Sequence, residues 1–371
     1  MPNLLLNDRM LKKLDIYILK KFLGTFVYSV AIISVIIIVF DISEKLESFL
    51  KHHAPFKAIV KDYYFNLIPY YVNLFSALFT FISVVFFTSR MAARSEIIAI
   101  LSAGTSFWRL IYPYMLGALA IAMMSLYLNH FLIPAANKTR LRFENTYIND
   151  RSRNNNLNIH KQISPGVNIY MEHFDNFQNI GYRFSMEHFN GQQLTYKLMS
   201  ETITYDSLKK NWRIFNYFVR RWYPDGSMKL TSGMIKDTVI NLSPHDFEER
   251  TEDVEAMNYG ELNAYIAKKR MEGSGNINQY MVERDQRTAF PFATFILTII
   301  GVSLSTRKVR GGTGLHLGVG LMIAFSFILF MQISTTFATS GGGFISPLVA
   351  VWIPNFIFGV VAFFMIRLAP K

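Results

Sequence analysis

Six uninterrupted runs of uncharged residues constrain this chain more than any other feature. Each run lacks Asp, Glu, Lys and Arg and is long enough to cross about 30 Å of hydrocarbon as a helix. The runs are residues 22–40, 66–88, 110–128, 288–306, 315–337 and 344–366. A single run of this kind could be a buried core helix, but six of them in 371 residues predict a membrane protein with six transmembrane helices.

The distribution of basic residues predicts how these helices are oriented. The formal net charge is +12. Most of the basic excess lies in segments 1–21, 89–109, 307–314 and 367–371. Because Lys and Arg in short loops stay on the cytoplasmic side, we expect both termini in the cytoplasm, the long middle segment outside it, and an uncleaved first helix. The charge is therefore a topology signal and does not indicate a nucleic-acid partner.

The runs are grouped three and three, with a long polar segment between the groups. That segment alternates apolar and polar residues and carries turn signals such as Asn190-Gly191, which is typical of antiparallel strands. We predict an α+β membrane protein with an extracytoplasmic all-β domain, as a sandwich, jelly roll or open barrel. The predicted segments are 1–21 (cytoplasmic interfacial helix), 22–128 (three spans, with a cytoplasmic loop at 89–109), 129–257 (β domain), 258–287 (connecting helices) and 288–371 (three spans).

The predicted strand at 212–222 has aromatic residues on both faces. Trp212, Ile214 and Phe218 alternate with Phe215, Tyr217 and Val219. Such a strand is either fully buried or lines an apolar groove, and burial is the commoner explanation. The acidic stretch that follows, residues 246–255, is interpreted as a solvated linker, because a site for a hard cation also needs turn glycines and carbonyls at set spacing.

Catalytic motifs are absent from the sequence. The chain has no cysteine, which excludes disulfides and thiolate metal sites. It contains no G-x-x-x-x-G-K-[ST], H-E-x-x-H or G-x-S-x-G motif, and its eight histidines are scattered. We therefore expect no enzymatic activity, no metal site and no cofactor bound by this chain.

The loop between the second and third runs has an unusual sequence. It reads Arg90-Met-Ala-Ala-Arg94-Ser95-Glu96-Ile-Ile-Ala-Ile-Leu-Ser-Ala-Gly104. Ser95 is placed to cap a short amphipathic helix that Gly104 ends. From composition alone this helix is either a plain connector, which is the commoner case, or the element on which a cytosolic partner acts.

This loop resembles the R-S-E-[IL]-x-x-[ML]-x-A-x-G loop of the lipopolysaccharide-export permeases, the LptF/LptG (YjgP/YjgQ) family. The opening Leu14-Asp15-Ile16-Tyr17-Ile18 is similar to the family's start, and to LptG in particular. Asn241-Leu-Ser-Pro244 resembles the segment that leaves the family's jelly roll, and the 3+3 layout also matches. The resemblance covers essentially the whole chain. Residues 1–9 precede it, which makes Met10 an alternative initiator.

The resemblance implies a half-transporter in the bacterial inner membrane with a periplasmic jelly-roll-like domain. Two such permeases would pair and bind a dimer of the cytosolic ATPase LptB, which holds ATP and Mg, so this chain binds no cofactor itself. Lipopolysaccharide would enter between the first and fifth spans and pass through the jelly roll to LptC and the periplasmic bridge. The residues that couple to the ATPase would be Glu96 with Arg90, Arg94, Ser95 and Gly104.

The lipid-binding residues are harder to carry over. Characterised LptG proteins have a basic residue near the outer end of the first span, whereas this region offers Asp41 and Glu44, with Lys45 as the nearest base. The candidates are the basic residues Lys45, Arg142, Arg284 and Arg287 and the aromatic residues Trp212, Phe215 and Tyr217.

Three other functions agree less well with the sequence. A sibling system that exports another envelope lipid or a lipoprotein usually has four spans. A secondary transporter needs ionisable residues inside its spans, where this sequence has only His316. A membrane-embedded transferase or hydrolase needs convergent carboxylates or histidines, and only Asp41, Glu44 and Asp62 lie near the outer interface.

Overall fold

The computed structural model describes residues 12–148, 156–175, 177–207, 209–240, 242–247, 251–273, 276–307, 312–340 and 345–369. The chain divides into two compact units, and each is described by itself. The membrane unit comprises Met1–Ile148, Glu255–Tyr259 and Asn278–Lys371. The β unit comprises Asn149–Val254 and Gly260–Ile277.

Helices account for nearly all of the described membrane unit. In chain order the helices of the protein are α1 (Lys13–Lys51), α2 (Phe56–Ala58), α3 (Phe65–Leu74), α4 (Ser76–Ala93), α5 (Glu96–Ser102), α6 (Phe107–Tyr127), α7 (Ile133–Tyr147), α8 (Thr251–Glu255), α9 (Tyr259–Met271), α10 (Ile277–Ser305), α11 (Gly312–Thr339) and α12 (Pro347–Leu368). The π-helical segments Ile59–Tyr64 and Leu128–Leu132 join α2 to α3 and α6 to α7. Six helical stretches are long and apolar enough to cross a membrane: α1, α4, α6 with α7, α10, α11 and α12. The prediction of six transmembrane helices is confirmed.

Three predicted helix boundaries differ from those in the structure. The run 66–88 is divided between α3 and α4, because the backbone at Phe75 leaves the helical region with φ −97° and ψ 2°. The third span continues through its π-helical segment into α7. Helix α1 runs unbroken from Lys13 through the first span, so the predicted interfacial residues from 13 onward are its first turns. Residues 1–11 lie outside the described part of the chain.

Helix α4 lies at the centre of the membrane unit. One apolar cluster packs α4 against α1, α5 and α6, and a second packs α4 against α10, α11 and α12. The helices approach closely where small residues face large ones: a Cβ on Gly301 of α10 would stand 3.0 Å from Cγ1 of Val84 in α4. Membrane helices rely on such small residues, since apolar packing against lipid and against protein is nearly equivalent.

The β unit is built around one antiparallel sheet. Its strands are β1 (Asn156–Ser164), β2 (Val167–Asp175), β3 (Ile180–Asn190), β4 (Gln193–Asp206), β5 (Asn211–Trp222) and β6 (Met228–Thr238). They pair in sequential order from β1 to β6. This sheet confirms the predicted fold class of a membrane protein with a β insertion. Among the described strands the order is a meander, without the Greek-key crossing of a complete jelly roll.

One row of residues interrupts the pairing across the whole sheet. It consists of Asn158, Glu172, Arg183, Glu201, Asn216 and Met234, one from each strand, and we call it the crease row. In alternate strands the crease residue has a left-handed backbone, with φ of 53° at Asn158, 50° at Arg183 and 49° at Asn216. A left-handed residue in an extended strand breaks the regular alternation of side chains. The crease row therefore changes which residues point inward.

The burial pattern shows this change directly. In β2 the buried residues on either side of the crease row are Met171 and Phe174, three positions apart instead of two. In β4 the corresponding residues are Ser200 and Ile203. Both halves of the sheet thus contribute apolar side chains to one core, which also holds Phe247. Two members of the crease row also form an ion pair: Arg183 Nη1 lies 2.8 Å from Glu172 Oε2.

The two end strands of the sheet differ in their surroundings. Beside β1, the Gln162 amide donates to the Glu272 carbonyl at 3.2 Å, so the end of α9 covers part of this edge. The Lys161 ammonium is buried, donates to the Asp246 carbonyl and lies 3.8 Å from the Glu272 carboxylate. The other end strand, β6, is exposed along most of its length.

Candidate functional site

The short helix α5, in the loop predicted to couple to an ATPase, begins at Glu96 and ends at Ser102. Ser95 holds the N-cap position with φ 60° and ψ 14°, and its side chain makes no capping hydrogen bond. That corrects the expectation of a serine cap: side-chain capping goes with an extended backbone at this position, and the left-handed turn at Ser95 does not provide one. Gly104 follows the helix with φ 83°, a conformation that glycine adopts without strain.

One side of α5 is anchored in the membrane unit. Ile97 is fully buried and belongs to the same apolar cluster as Ile18 and Phe22 of α1 and Phe107 of α6. Its neighbour Ile98 is 48% exposed. Helix α5 therefore cannot shift without disturbing side chains of α1 and α6, while its other side remains accessible.

The charged residues of this loop are only loosely held. Arg94 Nη1 lies 3.9 Å from Glu96 Oε1, and the two side chains are 61% and 33% exposed. Arg90 is exposed, with its guanidinium 6.0 Å from the centre of the Phe86 ring. Because an exposed ion pair at this distance contributes little, Glu96 can exchange Arg94 for a base on another protein. The roles of these residues in coupling remain predictions.

A cavity of about 360 Å³ lies within the membrane unit. Its walls include apolar side chains of α3, α4, α10 and α11, such as Leu78, Leu297, Phe327 and Met331, and the side chain of Phe75 between α3 and α4. A volume of this size is at the lower end of the range of ligand-binding cavities. The cavity can accept apolar groups such as part of an acyl chain.

A layer of polar residues borders this cavity. The Asn73 amide donates to Asn129 Oδ1 at 2.6 Å, and the Ser125 hydroxyl donates to Asn73 Oδ1 at 2.6 Å. Asn129 in turn donates to the carbonyl of Arg287 at 3.2 Å. These bonds join α3, α6 and α10 through groups that would be costly to leave unpaired in a membrane. The layer fixes one end of the cavity in place.

Lys45, the basic residue nearest the outer end of the first span, is held by an acid. Its ammonium lies 3.0 Å from Asp41 Oδ1 and donates to the Tyr63 hydroxyl. The hydroxyls of Tyr63 and Tyr64 each donate to the Asp41 carboxylate at 3.0 Å. Both tyrosines lie in a π-helical segment, a geometry often found at functional sites. Lys45 would have to share or leave Asp41 in order to bind a lipid phosphate.

The three candidate arginines have different surroundings. Arg284 Nε lies 2.8 Å from Asp285 Oδ1, and Arg287 Nε lies 3.1 Å from Glu283 Oε1. The Arg287 side chain is only 5% exposed. Arg142 of α7 is exposed and forms no ion pair with the described residues. Of these three side chains, Arg142 is the most accessible to an anionic headgroup.

The aromatic candidates in β5 differ in how deeply they are buried. Trp212 is 1% exposed, and its indole donates to the Leu242 carbonyl at 2.8 Å. Tyr217 is half-buried against the same core, and Phe215 is half-buried. Burial therefore accounts for Trp212, whereas Phe215 and Tyr217 are partly accessible. A lipid-binding role for all three remains a prediction.

The comparison with known families decides the identity of the chain. A family model described as "Lipopolysaccharide export system permease LptF/LptG" matches residues 16–368. This chain belongs to the LptF/LptG family. The match does not distinguish LptF from LptG, so the preference for LptG remains a prediction. A comparison with individual curated proteins found no match.

Family membership and the six apolar helices together make this chain a multi-pass membrane permease of lipopolysaccharide export. A permease of this family is a component of a transport complex. The described residues contain no group of three or more His, Asp or Glu side chains placed to hold a metal ion. The buried polar layer of Asn73, Ser125 and Asn129 was missed in the sequence, although an isolated Asn inside an apolar run was a visible signal for it.

Proposed function

We propose that this permease is the membrane subunit of an ATP-driven ABC-type exporter that extracts lipopolysaccharide from the bacterial inner membrane. It pairs with a second six-span permease, and each half binds one copy of the cytosolic ATPase LptB, which carries ATP and Mg. Both termini and α5 lie in the cytoplasm, and the β unit lies in the periplasm. A weak preference for the G-type subunit follows from the opening sequence at 14–18.

The observation that carries this proposal is the two-sided environment of α5. Ile97 is fully buried in a core shared with α1 and α6, and Glu96 and Ile98 on the same helix are accessible. A connector helix has no need of a buried anchor on one side and an acid beside exposed apolar surface on the other. This arrangement suits a helix that a cytosolic partner binds and displaces.

The cavity supports a lipid as the transported molecule. Exposing a lipid with roughly 60 methylenes to water would cost on the order of 50 kcal/mol at about 0.8 kcal/mol per methylene. The lipid must therefore pass from one apolar surface to the next. The cavity beside Phe75, Phe327 and Met331 provides such a surface inside the membrane unit.

The end strand β6 supports transfer to a periplasmic partner. Its side chains Leu230, Met234 and Ile235 are 56%, 79% and 62% exposed. Charged residues of β6 (Lys229, Lys236 and Asp237) disfavour indiscriminate pairing of this end strand. Its exposed apolar side chains are suited to contact with a specific strand of another protein. We assign this edge to LptC, the first component of the periplasmic bridge.

The test combines co-purification with a charge reversal at Glu96. The tagged chain, isolated from native membranes, should bring with it an ATPase and a second six-span protein. In the reconstituted complex, Glu96→Lys should lower ATP-dependent lipid release by about tenfold or more, the scale of a typical coupling free energy. Glu47→Lys is the matched control. It makes the same charge reversal at an exposed glutamate near the C-terminal end of α1, outside the loop that contains α5.

Two outcomes would overturn the proposal. Isolation of the chain without any ATPase or second permease would remove its basis, and so would a Glu96→Lys complex that releases lipid as the unmodified complex does. Mass spectrometry of the released lipid separates lipopolysaccharide from another envelope lipid or a lipoprotein. A photoreactive residue at Tyr217 should cross-link to lipid during ATP hydrolysis, whereas one at exposed Arg220 on the same strand should not.

A further inference from the structure

Helix α1 is attached to the membrane unit unevenly along its length. Its buried residues are Asp15, Ile18, Phe22 and Phe26, followed by none until Phe49. The first four pack near the cytoplasmic end, whereas Val35 and Val39 in the middle are 61% and 60% exposed. Val30 and Ile33 also pack on this unit, but the fully buried contacts of the N-terminal half of α1 lie in its first four turns.

A partly buried ion pair lies at that point. Arg109 Nη2 is 2.5 Å from Asp15 Oδ2, and the Asp15 side chain is 3% exposed. The same carboxylate oxygen accepts a hydrogen bond from the Lys12 amide at 2.7 Å. Asp15 thus caps its own helix and also binds a second helix.

The position of Arg109 is unusual for a basic residue. Arg109 lies in the first turn of α6, where Ser106 caps the helix by accepting from the Arg109 amide at 3.3 Å. A cation at a helix N-terminus is unfavourable because the helix dipole is positive there. The helix dipole therefore opposes Arg109, whereas its bond to Asp15 and its position 5.2 Å from the centre of the Tyr112 ring favour it.

Arg109 also connects directly to α5. Only residues 103–106 separate the end of α5 from the start of α6, so a displacement of α5 shifts the first turn of α6. Ile97 also couples α5 to α1 and α6, but through apolar contacts, which are non-directional. The Asp15–Arg109 bond fixes one point on α1 to one point on α6.

We infer that the Asp15–Arg109 ion pair transmits movement of α5 to α1, making both positioning residues for lipid release. The inference rests on the proposed function, because it requires an ATPase that moves α5. It adds that the ion pair couples ATP hydrolysis to the position of the exposed middle of α1. Neither residue contacts nucleotide or lipid in this role.

The experiment uses the complete complex in proteoliposomes, with the natural absence of cysteine permitting paired spin labels. Labels at Ser102 and Leu315 report movement of α5, and labels at Glu47 and Thr336 report movement of α1; all four side chains are exposed. The conservative variant is Arg109→Lys, which keeps the charge. The control is Glu44→Gln, an exposed carboxylate elsewhere on α1.

In the unmodified complex both label pairs should change distance when a non-hydrolysable ATP analogue binds. In Asp15→Asn only the α5 pair should change, ATPase activity should stay within about twofold, and lipid release should fall about tenfold or more. Arg109→Lys should retain most of the release, and Glu44→Gln should match the unmodified complex. A merely structural role would instead lower assembly, ATPase activity and release together.

The inference fails if Asp15→Asn keeps the α1 distance change and normal lipid release. If Asp15→Asn does not assemble, Arg109→Gln is judged by the same measurements, and failure of both variants to assemble shows a structural role and overturns the inference. An unmodified complex that does not couple ATP to release contradicts the proposed function itself. The two failures are therefore distinguishable.

Discussion

Gly117 of α6 lies directly against Phe22 of α1, so that a Cβ placed on Gly117 would overlap the Phe22 ring. Phe22 is fully buried and also packs on Tyr114, with ring centres 6.0 Å apart. A methyl group added at Gly117 would therefore force this enclosed ring or the backbone of α6 to shift. This contact sets how closely the N-terminal part of α1 approaches α6.

We predict that Gly117→Ala destabilises the permease by about 1–3 kcal/mol, the usual cost of overpacking a filled core. Gly24→Ala in α1 is the matched control, since nothing lies within 4 Å of a Cβ at Gly24. Unfolding in detergent, followed by tryptophan fluorescence, should show a loss of stability only for Gly117→Ala. Equal stability of the two variants would contradict the close packing described above.

The left-handed backbone at Asn216, in the crease row, determines how much stability each substitution there should cost. Its φ of 49° costs a residue with a Cβ about 1–2 kcal/mol, whereas Gly has no such cost and Asn tolerates the conformation. Asn216→Gly should therefore be milder than Asn216→Ala, although both lose the bond from Asn216 Nδ2 to Glu201 Oε2 at 2.7 Å. Chemical unfolding of the two variants measures the order, and an alanine variant at least as stable as the glycine variant would show that the left-handed backbone is not required.

Asp246 predicts a pH dependence of the β unit. Burial acts to raise the pKa of its carboxyl, but hydrogen bonds from Lys268 and Ser243 outweigh burial and lower the pKa to about 2. The unfolded pKa is about 3.9, so the folded state gains stability from Asp246 above that pH and loses it as the pH falls toward 2. We expect a loss of roughly 1 kcal/mol after solvent screening is considered.

The measurement compares the unmodified permease with Asp246→Asn, because other carboxylates titrate in the same range. Unfolding between pH 5 and about 2 should bring the two stabilities closer together as the pH falls. A difference that stays constant across this range would show that the Asp246 carboxylate contributes nothing through its charge.

The buried indole of Trp212 should contribute measurably to the stability of the β unit. Trp212→Phe removes the indole N–H that donates to the Leu242 carbonyl and leaves a small void. We therefore expect the free energy of unfolding to fall by about 2–3 kcal/mol. Trp222→Phe is the control, since Trp222 is only half-buried near the end of the same strand. Near-ultraviolet circular dichroism during unfolding reports both, and a variant at Trp212 that is no less stable than the one at Trp222 would contradict the buried position.

The strand β5 shows why a correct pattern can be misread. In a regular strand, Trp212 and Ile214 would lie on one face of the sheet and Tyr217 and Val219 on the other, because they occupy even and odd positions. The left-handed backbone at Asn216 reverses the alternation, so all four contribute to the same core. Much of the apparent two-faced character was therefore a change of register, and no rule of period two could reveal it.

Local composition determined the features of this protein that depend on single segments. A run of about twenty uncharged residues must be helical in a membrane, because each backbone donor and acceptor needs a partner there. For that reason the sequence predicts the six spans. The inserted β unit follows from period-two alternation with turn residues, and the short helix α5 from the pattern of the loop at 90–104.

Only the tertiary structure decided which distant residues meet. Asp15 and Arg109 are 94 residues apart, and Asn73 and Asn129 are 56 apart, so neither pair leaves a mark in local spacing. The same holds for the break at Phe75 and for the crease row, which depend on neighbouring helices and strands. Hydrophobic periodicity specifies which segments are buried, but the partners of buried polar groups are set by how the helices and strands pack, and the proposed coupling depends on those partners.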